Sequence, residues 1–319
     1  EVNELFTDVL TNENTKHKLL CDICTQENAT DILEGLSELS TKELARQLIQ
    51  GVPINRNNLT RYLSQERFSL WPLHNFLFTR DAAMTCRDEV IIGSAVVDDN
   101  GNGLWSTGFG HPDFCFVGDI DPARPGLEIF YGIEPRRDNN ALCLVEAKTG
   151  TLLWGLQTPT THVGTDGMCA DIDDGHPGSE CHAADLDRDR RFAKSWLFSA
   201  AGEMLSDERQ GTMSQPVYWD ADPQRELLRG SKICDFRGGE HPPKLAGRLV
   251  AIADVLGDWR EELITSSPGE LRIYTTTIPA SDRRVCLMQD PIYRLDVVVA
   301  AMGYYAAPML SYDMASSGR

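Results

Sequence analysis

No stretch of 18 consecutive apolar residues occurs in this 319-residue chain, which excludes an ordinary transmembrane helix. Cationic side chains are scarce: 30 Lys and Arg stand against 48 Asp and Glu, a net charge of −18. Nucleic acid is therefore an unsuitable partner, because its phosphates demand cationic stripes. A cationic, apolar leader is missing at the N-terminus, so the chain as given is expected to carry no export signal. A disulfide framework is missing too. The nine cysteines, at 21, 24, 86, 115, 143, 169, 181, 234 and 286, are odd in number and irregular in spacing. Cys115, Cys143, Cys169 and Cys286 lie in apolar runs, where a thiol acts as a small hydrophobe. Cys21-x-x-Cys24 has no second such pair and no nearby His pair, and reads as a helix-face pair rather than a metal site.

What the chain does have is a repeated acidic motif. Asp119-Ile120-Asp121 is followed by Pro125-Gly126-Leu127-Glu128, and Asp171-Ile172-Asp173 by Pro177-Gly178-Ser179-Glu180. Asp254, Asp258 and Glu262 form a third copy, one residue tighter. Alternate aspartates, a glycine bend and a late glutamate suit a hard cation, and Ca²⁺ takes six to eight oxygens from such loops. The expected ligands are Asp119, Asp121 and Glu128; Asp171, Asp173 and Glu180; and Asp254, Asp258 and Glu262. The plainer alternative is that the aspartates cap turns without a metal.

Periodicity divides the chain. Residues 1–65 carry helical spacing, with stretches around Leu5, Val9 and Leu10 and around Leu19, Leu20 and Ile23. Ser40-Thr41-Lys42-Glu43 is a capping box ahead of Leu44, Leu48 and Ile49, and Gly51-Val52-Pro53 stops that helix. Asn57-Asn58 opens a further short helix through Leu63. From Glu89 onward short β-rich runs alternate with Gly, Asp and Pro clusters, and glycine turns such as Lys148-Thr149-Gly150-Thr151 join them. Acidic loop, two strands, glycine turn and strand is the cadence of a propeller blade of ~40–50 residues.

Gly118-Asp119-Ile120-Asp121-Pro122, Leu256-Gly257-Asp258-Trp259-Arg260-Glu261-Glu262 and Leu271-Arg272-Ile273-Tyr274-Thr275-Thr276-Thr277 resemble the eight-bladed β-propeller rhamnogalacturonan lyases. Trp219-Asp220-Ala221-Asp222 with Arg225-Glu226-Leu227-Leu228 belongs to the same pattern. The resemblance covers about 88–319, whereas about 1–94 resembles arginine deiminase. There, Leu44-Ala45-Arg46-Gln47-Leu48 is similar to a helical insertion of that family and Leu73-His74-Asn75-Phe76 to Asp81 to a substrate-binding strand end. Both families carry something like Arg87-Asp88-Glu89-Val90-Ile91-Ile92-Gly93-Ser94, so a chimera is expected. The implied fold is mainly β: a partial, open β-propeller of four to five blades over 89–319, preceded by a helical segment, 1–88, from an arginine deiminase-like α/β fold.

The lyase resemblance implies a calcium-dependent β-elimination on rhamnogalacturonan or pectin, with a pectic polysaccharide as partner. It implies Arg225 and Tyr304 in the substrate groove, with Arg248 in the segment where the family has a basic residue. His111 and Glu134 occupy positions resembling calcium or substrate contacts. Phe116 and Ile133 stand where the family has histidines, and Ala246-Gly247-Arg248 replaces its Asn-Gly-Thr-Lys. The deiminase resemblance makes Asp81 a guanidinium-binding carboxylate, but no His-Cys nucleophile segment follows, so there is no thiolate for a covalent step. The alternatives are a deiminase-family protein without its nucleophile, or a non-catalytic calcium-stapled carbohydrate-binding module. His162 and His176 read as surface or turn residues, and Trp105, Trp154 and Trp219 as blade core. The lyase resemblance implies secretion and the deiminase resemblance the cytoplasm.

Overall fold

The computed structural model describes residues 2–26, 29–54, 68–70, 83–86, 89–92, 95–98, 103–164, 167–211, 213–301 and 307–316. Two compact units emerge, Glu1–Thr79 and Arg80–Arg319. Tyr304, Asp81, Arg87, Asp88, Gly93 and Ser94 of the octamer common to both resemblances, and the helix expected from Asn57 lie outside the described residues.

The first unit is helical: α1 (Val2–Val9), α2 (Glu13–Gln26), α3 (Leu33–Ser37) and α4 (Thr41–Gln50), with a short pair of strands, β1 (Val52–Pro53) and β2 (Phe68–Leu70). Ser40 caps α4: its extended backbone turns the chain, and its hydroxyl oxygen accepts from the Glu43 amide at 3.3 Å. Leu44, Ala45 and Leu48 then face Leu10, Leu20, Cys24 and Leu36 in one apolar cluster. Val9, expected on the buried stripe, is exposed; Phe6 takes that place. Gly51 ends the helix at φ 80°, a conformation that costs glycine little.

The second unit is a succession of antiparallel meanders in a propeller-like arrangement. The first comprises β3 (Ala83–Cys86), β4 (Glu89–Ile92), β5 (Ala95–Asp98) and β6 (Gly103–Ser106). The second has β7 (Pro112–Gly118), β8 (Glu128–Ile133), β9 (Leu142–Glu146) and β10 (Leu152–Gly155). The third has β11 (Met168–Ala170), β12 (Glu180–Leu186), β13 (Phe192–Phe198) and β14 (Met204–Ser206). The fourth has β15 (Pro216–Val217), β16 (Glu226–Arg229), β17 (Lys232–Cys234) and β18 (Glu240–His241). The last is three-stranded, β19 (Arg248–Ala253), β20 (Glu262–Ser267) and β21 (Glu270–Tyr274), and α5 (Pro291–Ala301) follows. Strand β3 pairs with β4 from Ala83 to Ile92, so the β unit starts upstream of 89.

Inner strands are apolar on both faces because other blades cover both. Every residue of β8 is buried, as are Leu142 to Val145 of β9. The fourth strands are wetter, with Leu152 and Met204 exposed. A tryptophan ties each of two blades to the next. Trp105 of β6 donates its indole N–H to the Ala147 carbonyl (3.0 Å), and Trp154 of β10 donates to the Ala200 carbonyl (2.8 Å). Each ring lies on a turn glycine: a Cβ at Gly150 would stand 2.4 Å from Trp105, and one at Gly202 2.6 Å from Trp154. Both glycines have positive φ, 71° and 85°. Gly230 has a similar φ of 67° but open space around it. Gly150→Ala should therefore destabilise by about 2–5 kcal/mol, combining backbone strain with overpacking. Gly230→Ala should cost only about 1–2 kcal/mol from the backbone. Urea titration of the two variants checks the difference; equal losses would dissolve the tryptophan tie.

Candidate active site

The acidic loops all join the first strand of a blade to its second. In each, the glutamate that opens the second strand turns back onto loop amides. Glu128 Oε2 accepts from the amides of Ile120 (3.0 Å) and Asp121 (3.1 Å), and Glu180 Oε2 from those of Ile172 (2.9 Å) and Asp173 (3.1 Å). Glu262 Oε2 accepts from Val255 and Leu256 (both 3.0 Å), and Glu226 Oε2 from Trp219 (2.8 Å). Burial pushes Glu128 up to about 7, and Glu180 and Glu226 up to about 8.

The aspartates are similarly engaged. Asp254 takes four amides, those of Gly257 (2.7 Å), Asp258 (3.1 Å), Trp259 (3.1 Å) and Leu287 (2.8 Å). Asp121 accepts from the Ala123 amide and Arg124, Asp173 from the Gly175 amide and Arg237, and Asp171 from the Gln224 side chain. Asp119 accepts from the Asp313 amide (3.0 Å) through one oxygen, while its other oxygen is buried without a partner. Asp258 is half exposed and pairs with Arg260 at 2.7 Å.

Arg225 lies between blades. It is 4% exposed. Its Nη2 donates to the Pro308 carbonyl (2.7 Å) and stands 4.0 Å from Glu261, and its guanidinium covers the Tyr218 ring at 4.2 Å. Glu261 also accepts from the Tyr293 hydroxyl (2.6 Å) and the Tyr218 amide (2.8 Å). This placement makes Arg225, for which the resemblance implies a groove role, a buried tie that also lines two small pockets. The short segment Arg-Glu-Leu-Leu gives no hint of that burial.

At the opposite end of the second blade, a polar cluster gathers around Glu134. His111 precedes β7 and Glu134 follows β8, and the Glu134 amide donates to the His111 carbonyl (2.9 Å). His111 Nδ1 is 3.3 Å from Glu134, His162 Nδ1 3.4 Å and Arg190 Nη2 3.7 Å. His162 Nε2 lies 3.9 Å from Asp113 and also touches Arg190. The third blade delivers His162: Asp185 accepts the Thr161 amide (3.0 Å) and the His162 amide (2.7 Å), fixing the approach. Burial and the Glu134 charge raise the Asp113 carboxyl above its ordinary range. His162 is thus part of a polar side-chain cluster rather than a free turn residue.

Among the described residues, ligand atoms of two groups lie within 4.8 Å of one another: His111, Asp113 and Glu134, and Asp220, Glu226, Asp235 and His241. The nine loop carboxylates expected from the sequence do not form such a group. Asp113, His162, Arg190, Asp235 and His241 were missed; the His111-x-Asp113 spacing was the visible signal for one of them. Arg248 is exposed at the start of β19, the first strand of its blade. First strands of a propeller run the same way, so Arg248 shares the end that carries His111.

Stacked β-meanders with acidic loops at one end and a His–carboxylate–Arg cluster at the other define a mainly β, propeller-like protein. Residues 66–317 match the rhamnogalacturonan lyase family 11 C-terminal domain, and the chain belongs to that family. The match begins upstream of the boundary expected at 88. Over 244 residues the chain is 37% identical to the rhamnogalacturonan endolyase YesW of Bacillus subtilis (strain 168), covering 71% of this chain and 37% of the relative. The rhamnogalacturonan exolyase YesX of the same organism is 36% identical over 256 residues, 71% of this chain and 40% of the relative. The crystal structure of YesW superposes with a TM-score of 0.63 at 34% identity, over 74% of this chain and 42% of that one. The Bacillus licheniformis rhamnogalacturonan lyase PL11 gives 0.61 at 32% identity, over 75% and 42%. The chain spans about two-fifths of these relatives' length. Among the described residues no helix is long and apolar enough to cross a membrane.

One group offers a pH test away from these clusters. Asp296 of α5 is buried, accepts from the Met309 amide (2.9 Å), and is pushed up to about 7 by burial. A carboxyl raised above its unfolded value favours folding at low pH and loses that advantage as pH rises from about 4 towards 7. Asp296→Asn keeps an acceptor for Met309. It should leave the melting temperature unchanged at pH 4 and raise it by several degrees at pH 8. Calorimetry at both pH values decides; an equal shift at both would contradict the burial assignment.

Proposed function

We propose that the chain acts in β-elimination on rhamnogalacturonan, with His111, Asp113 and Glu134 as its cation-holding centre. The observation that carries this is the convergence of those three side chains, joined by His162 and Arg190, in a chain belonging to a lyase family. Because the chain spans only about two-fifths of the named lyases, the activity is our own reading. The donor set fits a divalent cation: two carboxylates face one another closely enough for Glu134 to hinder ionisation of Asp113, and an imidazole completes the group. Ca²⁺, our assignment, would neutralise a uronate carboxylate and make the adjacent carbon acid stronger.

The chain's own residues then have separable tasks. Arg190, with a largely exposed guanidinium, is placed to pair with the substrate carboxylate, as is Arg248 at the same end. His162, held between Glu134 and Asp113, is a base suited to take the proton α to that carboxylate. As the C–H proton leaves, a carbon–carbon double bond forms and the glycosidic oxygen departs with the bonding pair. Tyr304 is retained in a groove role on the lyase resemblance alone, and Asp81 as a substrate-binding carboxylate on the deiminase resemblance alone.

The second reading is a non-catalytic, cation-stapled carbohydrate-binding module, favoured by the burial of Arg225. Ultraviolet absorbance of unsaturated uronate separates the two. With rhamnogalacturonan the wild type should generate that absorbance, and chelator should abolish it. Glu134→Gln should lower kcat by about 100-fold with an unchanged melting temperature. No product from the wild type, or full activity in Glu134→Gln, would defeat the proposal.

A further inference from the structure

A cleft of about 540 Å³ opens where α5 begins, beside the acidic-loop end of the last blade. Arg283, Arg284, Val285, Gln289, Pro291 and Tyr312 line it. Two loop contacts fix its wall: the Leu287 amide donates to Asp254 (2.8 Å), and the Trp259 indole N–H to the Asp282 carbonyl (3.2 Å). The volume falls within the roughly 300–1,000 Å³ of small-ligand sites.

Its lining is chemically uneven in an informative way. Arg284 is already used: it donates to the Met314 carbonyl, stands 3.9 Å from Asp282, and covers the Trp259 ring at 5.3 Å. Asp290 also lines the cleft, but its carboxylate is occupied by the amides of Ile292 (2.8 Å), Tyr293 (3.1 Å) and Ser311 (3.0 Å) and by the Ser311 hydroxyl. Arg283 is exposed and has no described partner. Val285, 60% exposed, and the Tyr312 ring provide apolar wall, while Gln289 provides an exposed amide.

We infer that this cleft is a second saccharide subsite, remote from Glu134, that binds a uronate-bearing sugar through the Arg283 guanidinium. A uronate ring offers one carboxylate, several hydroxyls and apolar C–H faces. Those features match a free guanidinium, an amide, and an aliphatic and aromatic wall. At −18 overall the surface repels an acidic polysaccharide, so an unpaired guanidinium in a cleft is a place where such a ligand is attracted. The ligand class rests on the pectic reading above; the site does not. Its position at the acidic-loop end, opposite the end that carries His111, makes it an anchoring subsite rather than part of the reaction.

The test is hydrogen exchange with tri-galacturonate as probe. Saturating probe should slow exchange across residues 283–291 in wild type and equally in Glu134→Gln. Arg283→Ala should abolish that protection and weaken probe binding there by about tenfold, with unchanged melting temperature and unchanged lyase rate on short substrate. Arg283→Lys should retain part of the protection. Fully methyl-esterified tri-galacturonate, lacking the charge, should protect weakly. Protection that survives Arg283→Ala, or that the ester matches, overturns the inference, as does an absence of protection in wild type. A protein that makes no unsaturated product yet shows charge-dependent protection at 283–291 would refute the lyase reading and leave this subsite standing.

Discussion

The β unit depends on one repeated interaction, seen in four of its blades: a buried glutamate at the head of the second strand accepting amides from the loop that precedes it. Each such bond is worth on the order of 0.5–1.5 kcal/mol net, and an amide left unpaired there would cost about 1–3 kcal/mol. The bonds also settle where otherwise unpaired loop amides go, which a buried loop must do. The residue just before the glutamate extends the pattern between blades. The Ser179 amide donates to the Ile120 carbonyl (3.0 Å), Arg225 to Asp171 (2.7 Å) and Glu261 to Tyr218 (2.8 Å). Loop order and blade order are thereby coupled.

Much of this was legible in the sequence, and the limits have physical causes. The Asp-x-Asp spacing with a distal Glu marked the loops, and the tighter third copy still closes because Glu262 reaches amides seven and six positions back instead of eight and seven. Spacing alone does not distinguish a carboxylate facing an ion from one facing amides, since both require the same short loop with a glycine bend. Gly150 and Gly202 were readable as turns, but not as platforms for Trp105 and Trp154, which arrive from other blades. The cluster at Glu134 was half visible. His111 and Glu134 were expected, whereas His162 and Arg190 come from the next blade and carry no local signature.

The two ends of the blades differ in how their carboxylates are satisfied. At the loop end, most carboxylates accept backbone amides or form ties such as Arg225 with Glu261, while Asp220, Glu226, Asp235 and His241 gather in one group. At the other end, Asp113 and Glu134 face each other beside two imidazoles and a guanidinium. Reactivity belongs where charge is incompletely satisfied, because such groups have binding capacity to offer a ligand.

The central claim, that the loop glutamates act as amide acceptors, is tested most directly at Glu180 by thermal unfolding in chelator. A glutamine keeps the acceptor oxygen and removes a charge that burial disfavours, whereas an alanine leaves the Ile172 and Asp173 amides unpaired. The account predicts that Glu180→Gln melts at or above the wild-type temperature and that Glu180→Ala melts several degrees lower. A glutamine variant as damaged as the alanine variant, matched in wild type by an equal loss when the metal is stripped, would contradict it.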